Sequence, residues 1–275
     1  MNKTFKSKSF LFALCAIMLS FSACKDKEKT DPAPDTTPGK LTLSMSHKVG
    51  TADLNFDTDY TNALGETMRF SMFNYFISNV KLVKEDGQLH VFNQDSSYFC
   101  IRHENGKNTY SVVLNNLPVG KYRDLEFTIG VDSLRSASDI SKRQGVLDPA
   151  AGASGMYWAW NSGYIFVKCE GSSPQIAADT LGNRRFRYHI GGFGGYSSRT
   201  INNIKTVRLS LGSAGVEVKG RQTLEAMIDV DVMKIFNGPT NISVAERPTV
   251  MFNPFSVNVA NNYVNMFKLE HAHIK

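Results

Sequence analysis

The chain has 275 residues, of which 42% are hydrophobic, 20% charged and 11% aromatic, with a formal net charge of +6. Three lysines sit in an N-terminal segment that contains no acid, so only about +3 belongs to the rest, too little and too scattered for a nucleic-acid surface. There is no Walker loop, dinucleotide fingerprint, zincin helix, Cys-x-x-Cys or Gly-x-Ser-x-Gly elbow, so none of these signatures points to an enzyme.

The N-terminal residues set an address. Lys3, Lys6 and Lys8 form a basic region, residues 10–21 an apolar run, and Ser22-Ala23 a small-residue cleavage site, so residues 1–23 read as a signal peptide. The run is short of the roughly 20 residues that span a bilayer. Cys24 follows in Phe-Ser-Ala-Cys, which resembles a lipobox; acylation of Cys24 would tether the protein to the outer membrane. Residues 24–40, without an aromatic or large aliphatic side chain, read as a flexible tether. Lys25-Asp26-Lys27-Glu28 also resembles a surface-export signal. The expected product is a lipoprotein of the cell envelope, periplasmic or surface-exposed, with one folded domain over residues 41–275.

Period-two alternation dominates that domain. Leu41, Leu43, Met45, His47 and Val49 share one face of a first strand, so His47 points with the apolar residues. Further strands are expected over residues 70–83, 90–92, 98–102, 110–114, 125–131, 164–169, 185–190, 205–211 and 224–232. Asp86-Gly87 is a hairpin signal between residues 80–83 and 89–92, and residues 117–122 form a turn. Residues 132–154, polar with Gly, Ala and Pro, read as a long loop with a short helical turn. Residues 257–268 read as a C-terminal amphipathic helix. The fold class is all-β: an antiparallel β-sandwich with loop insertions and a short C-terminal helix.

Several residue types could carry chemistry. Cys100 and Cys169 both lie in strand-like runs; a disulfide, two buried thiols and soft copper ligands all remain open. His90 and His103 lie beside turns and read as solvated. His271 and His273 form a His-x-His pair on one face if extended, a metal clip or a frayed terminus. His189 stands at the end of a strand, just before the Gly191-Gly192-Phe193-Gly194-Gly195 loop, which lacks the Lys-Ser/Thr of a phosphate loop. Residues 155–171 hold both tryptophans; as an extended strand, Trp-Ala-Trp would set Trp158 and Trp160 side by side. Paired indoles suit a core wall, a sugar-stacking platform completed by Tyr164, or a redox-active site.

Four blocks carry a resemblance: residues 74–82 (NYFISNVKL), Gly130-Val131-Asp132, residues 155–166 (GMYWAWNSGYIF) and His189-Ile190-Gly191-Gly192. In this order they resemble the MbnP family of periplasmic copper-binding proteins. The resemblance implies a Cu(I) site built from histidine and a tryptophan oxidised to kynurenine by a partner di-haem oxidase, MbnH. The matching positions are His47, His189, Trp158 and Trp160, with either indole open as the modified one. Imidazole suits copper, and kynurenine exposes an aniline-type nitrogen that indole lacks. The expected function is copper acquisition or buffering without catalysis. A glycan-binding or purely structural lipoprotein is the alternative.

Overall fold

The computed structural model describes residues 33–160 and 163–275. The signal peptide and Cys24 lie outside the described residues. In chain order the strands are β1 (Gly39–Val49), β2 (Ala52–Asp53), β3 (Asp59–Thr61), β4 (Thr67–Lys84), β5 (Leu89–Val91), β6 (Tyr98–Arg102), β7 (Thr109–Leu117) and β8 (Gly120–Ile129). After helix α1 (Ser133–Ala137) come β9 (Tyr157–Trp158), β10 (Gly163–Ser172), β11 (Arg185–Gly191), β12 (Lys205–Ser210), β13 (Val216–Val218), β14 (Thr223–Asp231) and β15 (Thr249–Val250). Helix α2 (Ser256–Tyr263) and β16 (Phe267–Ile274) close the chain.

Two sheets face each other. The smaller has the order β16-β14-β1-β2, with β7 also on β1; the larger follows β12-β8-β4-β10-β11-β15, with short strands added at its margins. Most pairs are antiparallel, but β1 runs parallel to β14 and β11 parallel to β15. The alternation read from β1 and β14 fills the space between the sheets. Leu41, Leu43, Met45, Ala226, Ile228 and Val230 are buried against Phe73, Tyr75, Val167, Tyr188 and Ile190 of the larger sheet. Strand pleating sends the intervening residues of the larger sheet the other way. There Phe76, Tyr164, Phe166 and Trp158 build a second apolar cluster beneath the long loop that follows β8.

Sequence expectations hold at the Asp86-Gly87 hairpin, where Leu82 pairs with His90 and Gly87 takes φ 86°. The loop after β8 carries the one-turn helix α1, capped by the Asp132 side chain. Two expectations shift. The folded unit begins at Asp35, which pairs with Arg221 at 3.0 Å, and β1 already starts at Gly39, so the last expected tether residues pack onto the domain. The C-terminal helix ends at Tyr263 and the chain becomes strand from Phe267, which places His271 and His273 on a paired strand rather than a frayed end.

Candidate metal centre

His47 is 2% exposed and sits between the sheets. Its Nδ1 faces Nδ1 of His103 at 3.0 Å, and its Nε2 lies 3.0 Å from the hydroxyl of Tyr75. That hydroxyl also reaches Met45 Sδ at 3.5 Å. Tyr110 stacks on the imidazole at 4.5 Å between ring centroids, and Phe73 meets it edge-on at 5.0 Å. His103 follows β6 in a turn whose backbone N–H donates to Phe73 O, and the ring of Phe56 covers it at 4.7 Å. The Nε2 of His103 is buried and has no hydrogen-bond partner.

At this distance one ring donates its Nδ1–H and the other accepts, the roles set by the tautomers, and the Tyr110 hydroxyl lies 3.3 Å from the same Nδ1 of His103. An ion would have to take the place of that shared proton. Burial argues against a charged ring: it pushes the His47 pKa down to about 3, with the neighbouring His103 adding to the effect, and lowers that of His103 as well. Both rings are neutral near pH 7, the state in which imidazole ligates metal. A metal–imidazole bond is about 2 Å, so the rings would part by roughly 1 Å or less to take an ion. Tyr75 would hold Nε2 of His47 and leave Nδ1 as the ligand atom, the outer hydrogen bond that usually orients a metal-binding histidine. The donor set, two imidazoles with a thioether one hydroxyl away, suits Cu(I). Among the described residues no group of three His, Cys, Asp or Glu side chains is placed to hold a metal.

His103 was not legible as a partner. A histidine at a strand end beside Glu-Asn-Gly reads as solvated, yet the turn folds back under Phe56 and leaves it 9% exposed.

The other expected ligands do not join His47. Alternation along β11 buries Phe186, Tyr188 and Ile190 between the sheets and turns His189 to the opposite face. There its Nε2 lies 2.7 Å from Glu170 Oε1. Burial lowers the His189 pKa, opposed by that hydrogen bond. Lys168, beside Glu170, donates to Gly155 O at 3.1 Å and so ties this row to the start of the tryptophan segment. Trp158 lies over Gly191, two residues from His189: a Cβ at Gly191 would come within 2.7 Å of the indole. The larger sheet therefore separates His47 from His189 and Trp158, and the four expected residues form two loci.

Trp158 and Trp160 touch, with ring centroids 5.3 Å apart, but not as neighbours on one strand. β9 ends at Trp158 and the chain turns, so Trp158 is 5% and Trp160 67% exposed. Tyr164 is fully buried, its hydroxyl donating to Leu147 O at 2.7 Å, which removes it from any open stacking platform. Cys100 and Cys169 are both free thiols. Cys169 points between the sheets, whereas Cys100 packs on the second cluster beyond them.

Comparison with solved structures finds MbnP from Methylosinus trichosporium at a TM-score of 0.53 and 13% identity, covering 86% of this chain and 99% of that one. At that identity the likeness is one of fold. No curated protein sequence matches. The MbnP family itself matches over residues 38–252, from the start of β1 through the tryptophan segment to the loop after β15, and on that match the chain belongs to the MbnP family.

Proposed function

We propose that this chain is an envelope lipoprotein that binds copper as Cu(I), for acquisition or buffering, and catalyses no reaction. The observation that supports it is the buried His47–His103 pair, with Nδ1 atoms 3.0 Å apart. Burial keeps both rings in the neutral form that ligation needs, with their Nδ1 atoms aimed at each other. Copper would bind between the two rings, Tyr75 would fix the His47 tautomer, and Tyr110 and Phe56 would exclude water. Lipid on Cys24 would hold the domain at the outer membrane.

An anaerobic titration of residues 33–275 against a chromophoric Cu(I) chelator tests this reading. One equivalent should bind, and His47→Ala or His103→Ala should weaken binding at least about tenfold, as loss of one of two ligands requires. Unchanged titrations in both variants, with the fold intact by circular dichroism, would remove the pair from the site.

A second reading places the ion on the far side of the larger sheet, at His189 beside an oxidised tryptophan. The seating of Trp158 over Gly191, close to His189, favours it. In that case His189→Ala, and not His47→Ala, abolishes binding. This reading needs a di-haem MbnH-like partner to supply the oxidation of Trp158 or Trp160, and the open face of Trp160 is the ring such an enzyme reaches first. Conversion to kynurenine adds one oxygen and removes one carbon, so a tryptophan peptide from the native host should gain about 4 Da. Peptides of unmodified mass leave the histidine pair as the copper site.

A further inference from the structure

Sheet alternation brings a second histidine pair to the outer face of the smaller sheet. β16 is its edge strand, paired antiparallel with β14 so that His271 lies opposite Met227 and His273 opposite Glu225. The two imidazoles stack with centroids 5.2 Å apart and planes 25° from parallel. His273 Nε2 lies 3.6 Å from Glu225 Oε2. Glu225 is itself only 9% exposed and held in place, since Ser44 Oγ donates to its Oε1 at 2.8 Å.

We infer that His271 and His273 form a surface chelate for a divalent transition-metal cation of the Zn(II) and Cu(II) class, oriented by the Glu225 carboxylate. Histidines two apart on a strand project from one face, so the backbone already aligns both rings. Glu225 Oε2, which also lies 3.4 Å from Lys275 Nζ, is close enough to Nε2 of His273 to draw that N–H toward it on a small shift and leave Nδ1 for the ion, the carboxylate–histidine–metal arrangement of many metal sites. The ligand atoms are imidazole nitrogens, which suit Zn(II), Ni(II) and Cu(II), with Cu(II) the tightest. This site opens to solvent, takes the divalent state and shares no residue with the buried pair, so it is independent of the copper reading above.

The test uses the exported chain beginning at Cys24. Zn(II) added to isotopically labelled protein should shift the imidazole resonances of His271 and His273 at one equivalent or less. Calorimetric Zn(II) affinity should fall at least about tenfold in the His271→Ala/His273→Ala double variant and severalfold in Glu225→Gln. His90→Ala, on the larger sheet and outside both histidine pairs, should leave both readouts where they were. Zn(II) that moves neither ring, or an affinity equal in wild type and double variant, overturns the proposal.

Discussion

His47 shows how one residue's setting fixes both stability and chemistry. An unfolded chain protonates this imidazole near the ordinary value of about 6.5, whereas burial holds it neutral down to about 3. Protons therefore bind the unfolded state in preference, and folding stability falls as pH drops from about 6.5 toward 3. Each tenfold difference in proton affinity between the unfolded and folded chain is worth about 1.4 kcal/mol, so His47 makes a pH-dependent contribution of roughly a few kcal/mol, and His103, also lowered by burial, acts in the same direction. The melting temperature of the wild type should thus decline steadily between pH 7 and pH 4. Replacing both rings, in His47→Leu/His103→Leu, should flatten that decline. Identical slopes in the two proteins would mean that both imidazoles accept protons in place. Saturating Cu(I) at the pair should deepen the decline, because metal and proton compete for the same nitrogens.

At the level of elements, the sequence carries the pleat well and the turns poorly. Alternation in β1 alone sets His47 facing inward, and the Asp86-Gly87 dipeptide alone places β4 against β5, because both signals are local. The partner of His47 comes from a turn 56 residues away, and no local pattern says that such a turn tucks beneath Phe56. The same blindness joins His189 to His47. Both are legible as strand residues, but which face of which sheet each occupies depends on a register that only the closed sandwich defines. The tryptophan segment fails differently, since its chain turns after Trp158 where alternation predicts a continuing strand. Gly191 is the element-level test of that segment. A Cβ there would meet Tyr164 O at 2.2 Å and the Trp158 ring at 2.7 Å. Gly191→Ala should cost about 1–3 kcal/mol, the range for overpacking, and should displace Trp158 toward water, seen as red-shifted fluorescence and new quenching by acrylamide. A variant with unaltered emission would show that the indole does not rest on Gly191.

Across the whole molecule, the family match and the folded unit do not end together. The match stops at residue 252, yet Val259, Ala260, Tyr263, Met266 and Phe267 of the remaining tail belong to the main core. The ring of Phe267 meets both Phe127 and Tyr75, the second at 5.7 Å between centroids, so the tail braces the tyrosine that orients His47. Asn203 donates to Ser256 Oγ and to Gly191 O, and the Asn262 side chain donates to Ile235 O and Thr240 O. Without β16 the edge of β14 would also lie open to pairing with other chains. Each large apolar side chain in that tail contributes roughly 1.5–3 kcal/mol by burial, and a domain holds only about 5–15 kcal/mol in total. A chain truncated to residues 33–252 should therefore show no cooperative melting transition by calorimetry and should lose Cu(I) binding with it. Adding residues 253–275 as a separate peptide should restore part of the transition, since strand and helix carry their own packing faces. A sharp transition in the truncated chain alone would mean that the family-matched residues hold a complete core and that the C-terminal tail only decorates it.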